Sequence, residues 1–173
     1  MNFEGLDIEI AYLKDFPQFV EELSILLHNE FGIYPPGGSL EQRKLRLLRY
    51  MQKKSIPVTF IALINGRLAG TASLIDYDMD NYKYLTPWLA SVYTISKFRR
   101  KGIASTLIRR VLKEAKDLGV DKLYLFTEKL VLYFETFGWK KKFDTEYKGR
   151  IVTIMYNELS KNTIDFLNRN IKV

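Results

Sequence analysis

The 173-residue chain has no cysteine and a single histidine, His28. Without thiols there is no cysteine nucleophile, no thiolate-bound zinc and no disulfide framework, and the composition suits a reducing compartment. One histidine leaves nothing for a Ser-His-Asp triad or a multi-histidine metal site, so no metal is expected. No apolar run is long enough to span a bilayer, and MNFEGLDIEI lacks the pattern of a secretory leader. The expected location is the cytoplasm, away from membranes. The usual nucleotide signatures are missing too, since the chain holds neither GxxxxGK[ST] nor GxGxxG.

What is present is an ordinary hydrophobic share of 47% and a net charge of +7. The first is enough to build a core, and the length fits one domain over residues 1–173, with 158–173 as a C-terminal tail or short helix. The second favours an anionic partner: nucleic acid, a membrane surface or a phosphorylated cofactor. The basic residues gather in LEQRKLRLLRYMQKK, KFRRKG and WKKKF.

Hydrophobic periodicity gives the order β-α-α-β-β-β-α-β-α-β-β. LDIEIAYL alternates like a strand, and PQFVEELSILLHNEF carries apolar residues at helical spacing. GIYPPGG reads as a loop. Ser39 with Gln42 forms a capping box that opens SLEQRKLRLLRYMQK, whose leucines at 40, 45, 47 and 48 are taken as its core stripe. PVTFIALINGRLAGTASLIDY is a hairpin turning at Asn65-Gly66, the pair that best tolerates a type I′ turn. PWLASVYT is a nearly continuous apolar strand, as a central position requires. GIASTLIRRVLKEAKDLG is an amphipathic helix stopped by Gly119. DKLYLFT, a short helix EKLVLYFETFG, and the hairpin of WKKKFDTEY with RIVTIMYNEL complete an α/β fold.

The chemistry concentrates in KFRRKGIAS, residues 97–105. An apolar strand, a short basic turn and a glycine-opened helix make an anion site, because the first helical turn exposes N–H groups without intrahelical partners and carries the positive end of the helix dipole. Small residues at 102 and 104 let a phosphate approach that backbone.

Arg99-Arg100-Lys101-Gly102-Ile103-Ala104 resembles the R/Q-x-x-G-x-G/A signature of the GNAT superfamily of acetyl-CoA-dependent N-acetyltransferases. WLASVYT, the long helix, KLYLFT and LYFETFGW are similar to that superfamily's motifs in the same order, over about residues 57–157. LYFETFGW stands where the family has L-Y-x-x-x-G-F, with one residue more in the spacing and Trp139 in the phenylalanine place. The resemblance implies a mixed sheet of six to seven strands flanked by about four helices. It also implies acetyl-CoA as cosubstrate and an amine as acceptor. Arg99, Arg100, Lys101, Gly102, Ile103, Ala104 and Ser105 would hold the pyrophosphate, mainly by main-chain N–H groups. Val92, Tyr93 and Thr94 would pair with the pantetheine arm and supply an oxyanion donor.

By the same resemblance Tyr133 is the general acid for the departing thiolate. A phenol of pKa near 10 facing a thiol near 8.5 loses only about 2 kcal/mol in that transfer. An amine of pKa near 10.4 needs a base. The PWLASVYT strand has no acid, so the candidates are Asp76, Asp78 and Asp80 before it, Glu128 after the next strand, and Glu41, with Asp78 placed first. The acids and tyrosines of DYDMDNYKYLT point to a small cationic amine. A macromolecular acceptor (a protein N-terminus, a lysine or an aminoacyl-tRNA) is the second reading, with EQRKLRLLRYMQKK as the RNA-facing surface. A non-catalytic nucleic-acid module is the third. The chain is expected to act as a monomer or homodimer.

Overall fold

The structure, a computed structural model, describes residues 2–3, 6–32, 34 and 38–159. Its strands are β1 (Asn2–Phe3), β2 (Leu6–Tyr12), β3 (Val58–Ile64), β4 (Arg67–Ile75), β5 (Trp88–Thr94), β6 (Lys122–Thr127), β7 (Lys140–Tyr147) and β8 (Arg150–Glu158). The helices are α1 (Val20–Phe31), α2 (Leu40–Arg49), α3 (Ile103–Asp117) and α4 (Val131–Glu135). One sheet runs β1-β2-β3-β4-β5-β6-β8-β7. Every neighbouring pair is antiparallel except β5 with β6. Apart from the two-residue β1, the element order and the mixed sheet match those expected from the sequence. The C-terminal boundary differs. Glu158 ends β8, and Leu159 is buried and donates its N–H to Asp121 O at 2.9 Å, so both belong to the fold. Residues 160–173, expected as tail or helix, lie outside the described residues.

Local chemistry explains several of these elements. Asn65 and Gly66 both take positive φ, 49° and 71°, as a two-residue turn between twisted strands demands. Ser39 Oγ accepts from Gln42 N at 3.1 Å and caps α2. β3 is buried along its whole length because helices cover both faces. Val58, Phe60, Ala62 and Ile64 join the core with Leu107, Ile108 and Val111 of α3. Ile61 and Leu63 join Leu23 and Leu27 of α1 and Leu47 of α2. That two-sided burial accounts for its almost wholly apolar sequence, in which Thr59 is the one polar residue.

The expected stripe on α2 is corrected. Leu47 is buried, but Leu45 and Leu48 are 50% and 45% exposed, and the second buried residue of this helix is Arg43. Positions 43, 47 and 50 lie on one face of a 3.6-residue repeat, whereas 45 and 48 do not share it.

Gly70 sets how closely β4 approaches β5 and α3. A Cβ there would stand 2.7 Å from Tyr93 O and 3.0 Å from Ile103 Cγ2. Gly70→Ala is therefore expected to destabilise the fold by about 1–3 kcal/mol through overpacking, read as a lower Tm. An unchanged Tm would contradict this close packing.

Candidate active site

The site begins with a fault in the central strand. Pairing between β4 and β5 runs through Thr71 opposite Tyr93, then shifts to Ser73 opposite Ala90. Ser91 and Val92 thus face a single residue of β4, and Ser91 takes φ 54°. Such a bulge turns main-chain groups out of the ladder. On its other side β5 meets β6 in register at Trp88 with Tyr124, after which no further register pair forms. From the bulge to Thr94, that edge of β5 is free to hydrogen-bond with a ligand laid along it.

β5 delivers the chain into the basic turn. Arg99 Nε donates to Thr94 O at 3.2 Å, and its guanidinium lies 6.0 Å from the centre of the Tyr93 ring. Arg100 and Gly102 both take positive φ, 61° and 77°, with Lys101 between them, an alternation that aims successive N–H groups to one side. Gly102 is the N-cap of α3, and the first intrahelical bond runs from Thr106 N to Gly102 O at 3.0 Å. The N–H groups of Ile103, Ala104 and Ser105 precede that bond, as an anion cradle needs. The Ser105 hydroxyl is turned back and donates to Gly102 O at 2.8 Å. Beside the cradle Thr94 Oγ1 and, in the second turn of α3, Arg109 Nε are buried without a partner. Unpaired buried polar atoms are costly, and these two with the free N–H groups suit a phosphorylated ligand bearing amide groups.

Where β5 and β6 part, a cleft of about 700 Å³ opens, of a size suited to a small ligand. Ser91 and Val92, Leu125 and Thr127, and Leu130 and Phe134 contribute to its walls. Tyr34, Arg43, Asp78, Glu128 and Arg150 supply its polar groups. Of the acids considered as bases, only Asp78 and Glu128 line it. Asp76 and Asp80 are exposed in the loop before β5, and Glu41 is exposed on α2. Glu128 accepts from the Tyr34 hydroxyl and from Arg150 Nη1 at 3.1 Å. The bond from Tyr34, and next the one from Arg150, hold its pKa below the ordinary value. Asp78 is the opposite case: removal from water pushes its carboxyl up to about 7, with Arg46 and Arg43 pulling the other way.

The acidic, aromatic loop does not converge as a cation site. Tyr77 lies under Lys83, 4.7 Å from ring centre to Nζ, and the Tyr82 hydroxyl bonds Thr145 Oγ1 at 2.9 Å.

Tyr133 is not among the residues lining the cleft. Its half-buried ring packs against Phe134 and Phe137, at 5.5 and 5.3 Å. Burial raises its pKa, with Arg109 opposing. The α4 ring on the cleft belongs to Phe134. Counting three intervening residues back from Gly138 also reaches Phe134, so the extra residue in LYFETFGW displaces the tyrosine by one position around the helix. Sequence reasoning also missed Tyr34 and Arg43, which come from the loop after α1 and from α2.

A family model described as acetyltransferase (GNAT) family matches residues 21–139. Among solved structures, an aminoglycoside 6′-N-acetyltransferase complexed with coenzyme A superposes with a TM-score of 0.70 at 16% identity, covering 88% of this chain and 97% of that one. The Salmonella typhimurium protein YncA with its cofactor acetyl-CoA gives 0.64 at 17% identity, covering 89% and 95%. A curated relative, the amino-acid acetyltransferase of Mannheimia succiniciproducens, is 24% identical over 136 residues, 78% of this chain. The chain spans only 27% of that relative's length. The bulged strand, the cradle opening α3 and the match across both thus place the chain in the GNAT family.

Proposed function

We propose that the chain transfers acetyl directly to the primary amine of a small molecule, within a ternary complex and without an acetyl-enzyme. The observation that carries this reading is that a carboxyl pushed up to about 7, Asp78, lines the same cleft as the bulge at Ser91–Val92. Named relatives act on an amino acid in one case and an aminoglycoside in another, both amines.

Acetyl-CoA supplies the acyl group, already activated as a thioester. The Arg99–Ser105 segment holds the phosphates through the N–H groups of Ile103, Ala104 and Ser105, while Arg99, Arg100 and Lys101 add a favourable field. The free edge from Val92 to Thr94 pairs with the pantetheine arm, and a main-chain N–H at the bulge faces the acyl oxygen as charge develops there. The amine nitrogen bonds to the acyl carbon, Asp78 takes the proton from that nitrogen, and the C–S bond breaks to release coenzyme A as the thiolate, which takes its proton from water. A free amine of pKa near 10.4 lies about 4.6 kcal/mol from its neutral form at pH 7, and bond formation to carbon makes that proton far more acidic. A base poised near 7 is matched to this task.

A macromolecular acceptor at α2 is less well supported. Lys44 pairs with Glu21 at 2.5 Å, Arg43 is buried, and Arg46 faces Asp78 and Tyr50, so three of the four basic side chains of α2 are engaged within the fold, with Arg49 exposed.

The direct route is tested by initial rates with acetyl-CoA and amine both varied. Intersecting lines are expected; parallel lines would mean an acetyl-enzyme and overturn the ternary complex. Tyr133→Phe separates the two assignments for α4. With its ring packed away from the cleft and its pKa raised, the expected kcat is within about threefold of wild type, since loss of a working proton donor costs about 10²-fold or more. A hundredfold loss would restore Tyr133 as the acid.

A further inference from the structure

Arg43 presents a buried cation to the cleft. Its side chain is only 5% exposed, and it lines both the cleft and the small hollow beneath it, together with Asp78 and Ser91. One terminal nitrogen donates to Phe31 O at 3.2 Å, tethering the end of α1, while Nε is buried with no partner. Among the described residues no carboxylate stands within ion-pair distance of it. The acid nearest in effect is Asp78, which burial drives toward its neutral form, and Arg46 adds a second positive charge on the same side. A buried guanidinium left unpaired is costly, whereas a ligand anion laid on its planar fork satisfies two N–H donors at once.

We propose that Arg43 anchors an anionic group of the acceptor, so that the substrate is an amine that also carries a carboxylate or phosphate, held with its nitrogen toward Asp78. This rests on the amine-transfer reading above. It differs from the simple small cationic amine that the loop DYDMDNYKYLT suggests from composition, because only Asp78 of that loop's acids reaches the cleft. Asp78, Arg43 and Ser91 line one small hollow, which favours compact acceptors in which amine and anion are a few bonds apart.

The test uses matched probes that differ only in the anion: glycine with methylamine, L-phenylalanine with phenethylamine, L-lysine with cadaverine, and phosphoethanolamine with ethanolamine. Coenzyme A release gives kcat and KM, and calorimetry on enzyme saturated with coenzyme A gives binding. The anionic member of at least one pair is expected to have kcat/KM higher by about 10–100-fold, the range for a charge-assisted contact. The first three pairs against the fourth distinguish carboxylate from phosphate. Arg43→Gln is expected to abolish that preference through KM while KM for acetyl-CoA stays unchanged, and Arg43→Lys to keep part of it. Equal turnover within every pair by the wild-type enzyme overturns the proposal, as does a preference that survives in Arg43→Gln. Anion binding lost in Arg43→Gln, without turnover of any probe, would uphold the subsite and sink amine transfer. Neither binding nor turnover of any anionic probe overturns the subsite.

Discussion

Asp78→Asn is expected to lower kcat by about 10²–10⁴-fold while leaving acetyl-CoA binding intact, because a positioned base contributes that much to proton transfer. As the proposed base Asp78 works as the carboxylate, and its pKa is pushed up to about 7 by burial, against the pull of Arg46 and Arg43. The wild-type rate should therefore fall tenfold per pH unit below about 7, and this limb should vanish in the variant. Stability should move the other way. A carboxyl whose pKa is higher in the folded than in the unfolded state binds its proton more tightly when folded. It therefore favours folding most at low pH, and that advantage is lost as pH rises from the ordinary Asp value toward 7. Asp78→Asn is thus expected to raise Tm near pH 8, with the difference closing below about pH 4. A variant that loses activity and gains stability at high pH marks a strained functional acid. One that loses both would mark Asp78 as a structural partner of the arginines.

Gly102→Glu is expected to weaken acetyl-CoA binding by about a hundredfold or more, corresponding to about 2.7 kcal/mol. Two effects combine. Gly102 has φ 77°, a conformation that costs an ordinary residue about 1–2 kcal/mol. The new carboxylate would also stand beside the N–H groups of Ile103, Ala104 and Ser105, the proposed phosphate cradle. Gly102→Ala, which adds strain without charge, should fall between the two, and calorimetric titration with coenzyme A reads all three. Wild-type affinity in Gly102→Glu would mean that the phosphates lie elsewhere.

The sequence makes local features of this protein legible and leaves their meeting points obscure. Asn65-Gly66, Ser39 and Gly119 mark turns and caps because their effects act within a few residues. The structure places them as such: two positive φ angles, a 3.1 Å capping bond, and a helix C-terminus at φ 78°. KFRRKGIAS is readable as a phosphate cradle for the same reason, since strand, turn and helix start are contiguous.

What stayed hidden depends on contacts between distant segments. Asp76, Asp78 and Asp80 look alike in the sequence, and only the packing of α2 against the loop singles out Asp78. Arg43 sits among leucines and basic residues that suggest a solvated helix face. Its burial would have followed from strict 3.6-residue spacing with Leu47 and Tyr50. The bulge at Ser91 has no glycine to announce it, and the extra residue in LYFETFGW puts a phenylalanine on the cleft in the tyrosine's place.

The most direct test of acetyl transfer in this cleft is to incubate the protein with acetyl-CoA and a panel of primary amines, following coenzyme A release and product mass together. At least one small amine is expected to be N-acetylated in equal amount to the coenzyme A released, at a rate that collapses in Asp78→Asn. Coenzyme A release with no acetylated amine, or amine acetylation undiminished in Asp78→Asn, would contradict the chemistry assigned to Asp78 and the bulged strand.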